Sequence, residues 1–181
     1  IRYSQFLNPE GGILDDLMIT RSAYAGYEGW LYLVCNASRK DDDFAHIERH
    51  LPAHVKLQRG ADMALVALQG PKAEAALAEF APAVRDIPFM HYAAVSIDGI
   101  EAHVSRSGYT GEDGFEISIF DKDAVRLWQL LLANPDVKPI GLGARGVVVV
   151  FRRSSGGVWN EVQRIVPPNS MVWDQFGASI A

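Results

Sequence analysis

Residues 92–106 read YAAVSIDGIEAHVSR, and the Asp98-Gly99 pair at their centre decides the fold class. Asp-Gly between two strand-like runs is the strongest short hairpin signal a sequence carries, because both central residues of that turn need positive φ. The spacing therefore predicts strands over 92–97 and 100–106. Downstream, residues 115–120 (FEISIF) read as another strand. Asp121 is the expected cap of a helix over 124–132, where Val125, Trp128, Leu131 and Leu132 share one apolar face. Upstream, residues 63–68 read as a strand, and Gly70-Pro71 starts a helix through KAEAALAEF, with Pro at its first position.

Farther toward the N-terminus, residues 13–20 (ILDDLMIT) form an apolar run that follows the turn residues Asn8, Pro9, Gly11 and Gly12. A second run, 28–35, follows a turn at Ala25-Gly26, so the two are expected to pair as a hairpin. Asn36 and Ser38 offer caps for a helix over 40–51. Phe44, Ile47 and Leu51 recur there at helical spacing, Asp41, Asp42 and Asp43 occupy the first turn, and Pro52 ends it. Hairpins outnumber strand–helix alternations in this order. The expected class is α+β, with antiparallel sheets and packed helices. A composition break near Ile87-Pro88 suggests a first lobe over 1–86 and a second over 87–150. A divergent tail, 151–181, contains RRSSGG.

The 181 residues are 49% hydrophobic and 22% charged, an ordinary globular balance. A net charge of −5 argues against a general nucleic-acid surface. No apolar run approaches the ~18–20 residues of a membrane span. The single cysteine, Cys35, lies in LYLVC and reads as a buried small hydrophobe. One thiol makes no internal disulfide and fits a reducing compartment. No Cys/His spacing suggests a metal site. His46 and His50 are four apart but lack the acid of a zinc-protease helix, and read as exposed helix residues. The chain opens IRYSQFLNPE without an initiator Met or signal-like segment, so it reads as starting inside a longer sequence.

Three segments could carry chemistry. On a strand, Asp15 and Asp16 point to opposite faces. The one that points inward would be costly unless hydrogen-bonded, would have a raised pKa, and would suit proton transfer or stabilisation of a cation. The alternative is an edge strand with both acids solvated. Residues 107–116, SGYTGEDGFE, place Gly111 and Gly114 where a loop can curl tightly, and Glu116 near the start of a strand. The alternative is a long turn with solvated acids. Residues 139–145, PIGLGAR, could bring backbone and the Arg145 fork to a ligand, or could simply precede a helix.

Taken in order, these segments resemble one family, the T-protein (aminomethyltransferase) of the glycine cleavage system. The matching stretches are FLNPEGGILDDLMI (6–19), YLVCNASRKD (32–41), ALVALQGP (64–71), IPFM (87–90), VSRSGYTGEDGFEI (104–117) and PIGLGAR (139–145). The resemblance implies transfer of a methylene from the aminomethyl group on the lipoyl arm of H-protein to tetrahydrofolate, with release of ammonia. The transfer passes through a cationic iminium-like species. It further implies Asp16 as the catalytic carboxylate and Glu116 as the pterin-binding acid. Asn36, Ala37, Tyr109 and Arg145 complete the folate site. No metal, nucleic acid or membrane is implied, and the compartment is bacterial cytoplasm or mitochondrial matrix.

Relative to the family the chain reads as truncated at both ends. After Arg145 it departs from the family pattern: Gly146 stands where an Asp is expected, and the C-terminal β-barrel domain has no counterpart. An intact folate pocket draws on those parts, so family membership and the activity of these 181 residues are separate questions. Two other readings keep the folate fold. One is the folate-binding domain of a sarcosine or dimethylglycine dehydrogenase. The other is a non-catalytic folate-binding module, which usually lacks the acid at Asp16.

Overall fold

A computed structural model describes residues 1–22, 27–108 and 110–139, together with the backbone of two further strands, Val148–Arg153 and Trp159–Ile165. The first three strands are β1 (Arg2–Leu7), β2 (Ile13–Arg21) and β3 (Leu31–Cys35), which form an antiparallel sheet in the order β1-β2-β3. The expected β2–β3 hairpin is present, with Met18 opposite Val34 and Thr20 opposite Tyr32. β1 carries no hydrophobic alternation and is absent from the expected elements. It is an edge strand defined by its partner, and Arg2 to Phe6 pair with Ile19 to Asp15. The turn between β1 and β2 closes on Asn8. Its backbone N–H donates to Gly12 O at 2.8 Å, its side-chain Oδ1 accepts from Gly12 N at 2.6 Å, and Gly11 takes φ +82°.

Helix α1 (Lys40–His50) follows β3. Its N-cap is Arg39, with no side-chain cap, and neither Asn36 nor Ser38 plays the expected part. The backbone carbonyl of Asn36 accepts from Arg39 N–H, and the Asn36 side chain is spent elsewhere.

The second sheet holds β4 (Met63–Gln69), β5 (Tyr92–Ile97), β6 (Ile100–Ser105) and β7 (Gly114–Phe120), all antiparallel in the order β4-β7-β6-β5. Asp98 and Gly99 both adopt positive φ, +49° and +79°, in the two-residue turn that joins β5 to β6. This sheet crosses position 86/87: β4 lies before it, and β5 to β7 lie after. The composition change at Ile87-Pro88 marks a local turn, in which Met90 takes φ +60° and donates its N–H to Arg106 O, and hydrogen bonding continues past it.

Helices α2 (Ala73–Ala78) and α3 (Ala124–Leu132) supply the apolar cover for this sheet. α3 has the expected bounds, but Asp121 is not its cap. Asp121–Asp123 form a 3-10 turn, and the N-cap position falls to Asp123 without a side-chain bond. On β6, Ile100, Ala102 and Val104 are buried and alternate with Glu101 and His103. On β7, Phe115, Ile117 and Ile119 are fully buried, in one core with Leu77, Val84, Leu127 and Leu131. Each such side chain contributes on the order of 1.5–3 kcal/mol by leaving water. The opposite face of β6 and β7 carries His103, Ser105, Glu116 and Ser118. That polar face meets the first sheet.

Candidate functional site

Period-2 alternation puts Asp16, Met18 and Thr20 on one face of β2, and the register places Val34 and Tyr32 beside Met18 and Thr20. This face looks across at β6 and β7. The Tyr32 hydroxyl donates to Ser118 Oγ at 2.9 Å, and the Tyr32 ring stacks on His103 with centroids 6.3 Å apart. Ser118 is buried, although it faces away from the apolar core, because the first sheet covers it. Between the sheets lies a cavity lined by Met18, Thr20 and Tyr32 on one side and His103, Glu116 and Ser118 on the other. Its volume is about 20 Å³, room for a water molecule. A bicyclic ring enters only if side chains such as Tyr32 swing out.

Glu116 is half-buried in this cavity, and burial raises its pKa, partly offset by a hydrogen bond from Ser107. Among the described residues no Lys or Arg forms an ion pair with it. A carboxylate kept out of water without a cation is suited to a ligand that brings N–H donors.

Asp16 lies next along the same face of β2, beyond Met18, and does not itself line the cavity. It accepts from the Tyr3 hydroxyl at 2.6 Å and from Asn36 Nδ2 at 2.8 Å. These two donors hold its pKa below the ordinary carboxylate range. The expectation of a raised pKa for the functional acid of the pair is therefore corrected: Asp16 is a fixed anion, suited to stabilising positive charge and not to carrying a proton. Asn36 Nδ2 also donates to Asp15 Oδ1 at 2.9 Å, so one amide bridges both acids. Ala37 is exposed and outside the cavity. Tyr109 and Arg145 lie outside the described residues.

The glycine-rich loop before β7 curls around Gln69, the last residue of β4. The Gln69 side chain is buried, its Nε2 donates to Ser107 O and Phe115 O at 3.0 and 3.1 Å, and its Oε1 accepts from Thr110 Oγ1 at 3.2 Å. Arg106 clamps the loop from outside, with Nε to Asp113 Oδ1 at 2.9 Å and Nη2 to both Asp113 and Glu74. Arg106 is thereby held charged, and its hydrogen bonds push the Asp113 pKa down. A depressed carboxylate contributes stability above its usual value of 3.8 that is lost as pH falls through the folded value. Asp113→Asn should therefore cost stability at neutral pH, and the difference from wild type should shrink below pH 4. Thermal melts across pH 3–7 check this, and a difference that stays constant would refute it.

Sequence reasoning missed Tyr32, His103 and Ser118, which form the cavity walls, and Gln69. The alternation of Glu116 and Ser118 on β7, and of His103 and Ser105 on β6, is the signal for a polar second face.

The GCVT N-terminal domain family matches residues 1–150. The chain belongs to this family. Among its relatives, the mitochondrial aminomethyltransferase of Dictyostelium discoideum is 41% identical over 160 residues, covering 80% of this chain and 38% of that protein. The mitochondrial aminomethyltransferase of Canis lupus familiaris is 44% identical over 150 residues, covering 78% and 36%. The crystal structure of glycine cleavage system aminomethyltransferase T from Bartonella henselae superposes with a TM-score of 0.64 at 39% identity, covering 76% of this chain and 36% of that one. The chain thus spans under half the length of the relatives it matches. The mixed helix and antiparallel-sheet architecture of this GCVT domain agrees with the α+β class expected from its hairpins.

Proposed function

We propose that this chain supplies folate-contacting residues of a glycine cleavage aminomethyltransferase, which passes a methylene from the aminomethyl-lipoyl arm of H-protein to tetrahydrofolate and releases ammonia. The observation that carries the reading is Glu116, half-buried in the cavity between the sheets with no Lys or Arg ion pair among the described residues, with the ionised Asp16 farther along the same face of β2, outside the cavity lining. Glu116 would accept from the ring N–H and amino group on one edge of the pterin, a bidentate arrangement. Tyr32 and His103 offer ring faces beside it. Asp16 would present a negative charge where positive charge develops during transfer. Asn36 holds Asp16 in place, and Ala37, Tyr109 and Arg145 would complete the folate contacts.

Relatives occur in bacteria and in mitochondria, and the proposed compartment is bacterial cytoplasm or mitochondrial matrix. Among the described residues no helix is long and apolar enough to cross a membrane.

Glu116→Gln keeps the shape of the side chain but replaces one acceptor by a donor that opposes the pterin donors. Tetrahydrofolate affinity measured by calorimetry should drop at least tenfold. An affinity equal to wild type would remove Glu116 from the site.

A further inference from the structure

Behind the Asp16 face, helix α1 packs on the other side of the first sheet. Asp15, Leu17 and Cys35 point that way, and Phe6 of β1 meets His46 of α1 with ring centroids 5.2 Å apart. Asp43, in the first turn of α1, is 2% exposed, far more buried than a helix-dipole acid needs to be. Its Oδ2 and the Oδ2 of Asp15 are both buried and neither accepts a hydrogen bond among the described residues. The two carboxyls lie within hydrogen-bonding reach of each other. Two buried acceptors without donors are costly, and two buried like charges in contact are costlier still. One hydrogen between them removes both problems.

We propose that Asp15 and Asp43 share a single proton, and that this acid pair positions Asn36 and through it the ionised Asp16. With the proton held on the Asp43 side, Asp15 Oδ1 accepts one hydrogen of the Asn36 amide, and the other goes to Asp16 Oδ1, at 2.9 and 2.8 Å. While that proton is held, below about pH 6, the three adjacent carboxyls carry two negative charges, with Asp16 the one on the cleft side of β2. The groups facing Asp43 fit this arrangement. The Cys35 thiol from β3 lies near it and, with its own pKa pushed up to about 11, chiefly by burial, stays protonated. Arg39 and Asp42, on its own helix end, pair with each other at 2.8 Å and act on it with opposite signs. Burial and the hydrogen bond with Asp15 push Asp43 up to about 6. A pKa raised on folding gives stability that is complete below the usual 3.8 and lost as pH rises through about 6. Asp43 is thus a positioning residue: it touches neither the cavity nor the proposed substrate.

The test is a carbon-detected carboxyl NMR titration of the folded 181-residue chain, with Asp43→Asn beside it. The carboxyl carbon of Asp43 should report a step near about 6. The side-chain amide signals of Asn36 should move through that same step in wild type. They should stay still in the variant, where an amide N–H at position 43 replaces the shared proton. The melting temperature of Asp43→Asn relative to wild type should rise by about 5 °C between pH 4.5 and 7.5. A titration of Asp43 finished below pH 5 would overturn the shared proton. An Asn36 signal indifferent to the step would overturn the positioning role. The role of Asp16 rests on the proposed function, but these measurements use no folate, so they stand or fall separately from the Glu116 experiment.

Discussion

Asp16→Asn should lower the rate of methylene transfer at least a hundredfold while leaving the fold intact. Asparagine has the same outline, and its oxygen can still accept from Asn36 Nδ2 while its amide turns toward the Tyr3 hydroxyl, which can accept as well as donate. What disappears is the charge. Removing a preorganised electrostatic partner of a developing charge typically costs about 10²–10³ in rate. The experiment is a single-turnover assay in a chimera that joins residues 1–139 to the flanking segments of a full-length aminomethyltransferase, with and without the substitution. A rate within threefold of the unsubstituted chimera would remove Asp16 from the chemistry. The pH profile gives a second check. Because hydrogen bonds from Tyr3 and Asn36 hold Asp16 below the ordinary carboxylate range, it remains ionised as pH falls to 5, and an acid limb in that region must come from another group.

The fold is legible wherever a local rule decides it. Asp98-Gly99 needs only its own backbone preferences to make a hairpin; α3 has its expected bounds, but its buried face is Leu127 and Leu131, while Val125 and Trp128 of the expected apolar face are exposed. β1 is not legible, since RYSQFL becomes a strand because β2 offers it partners. The site is legible in its acids but not in their states. Alternation separates Asp15 from Asp16, yet which of them is the stable anion depends on Tyr3, thirteen residues away, and on Asn36, twenty residues away. Asn36 reads locally as a helix cap and is drawn off by that same bridge. Asp43 reads as a first-turn helix acid, and only the packing of α1 against β2 and β3 buries it. Gln69 ends an apolar strand and gives no sign that a loop some forty residues later will wrap around it. In each case the missing information is a contact between elements distant in sequence.

That loop gives the largest expected effect on stability. Gly108→Ala should lower the melting temperature by about 6–12 °C, corresponding to ~3 kcal/mol in a chain of this size. Gly108 does not have positive φ, so the cost is steric. A Cβ there would stand 2.0 Å from Gln69 Oε1 and 2.6 Å from Nε2. Gln69 is not a flexible surface side chain that can step aside: its amide ties Ser107 O to Phe115 O and accepts from Thr110. Moving it breaks those bonds and strands buried polar atoms, each worth ~1–3 kcal/mol. Gly111 provides the contrast. It has φ +79° and nothing within 4 Å of an added methyl, so Gly111→Ala meets only backbone strain, ~1–2 kcal/mol. Gln69→Ala alone should also destabilise, because it removes the loop's internal anchor. In the double substitution the Gly108→Ala penalty should largely vanish, since the clashing atoms are gone, and the two losses should fall well short of adding. Additive losses, or a Gly108→Ala melting point within about 2 °C of wild type, would mean that the loop is not built around Gln69, and that Glu116 is not held at the cleft by the structure of the loop preceding it.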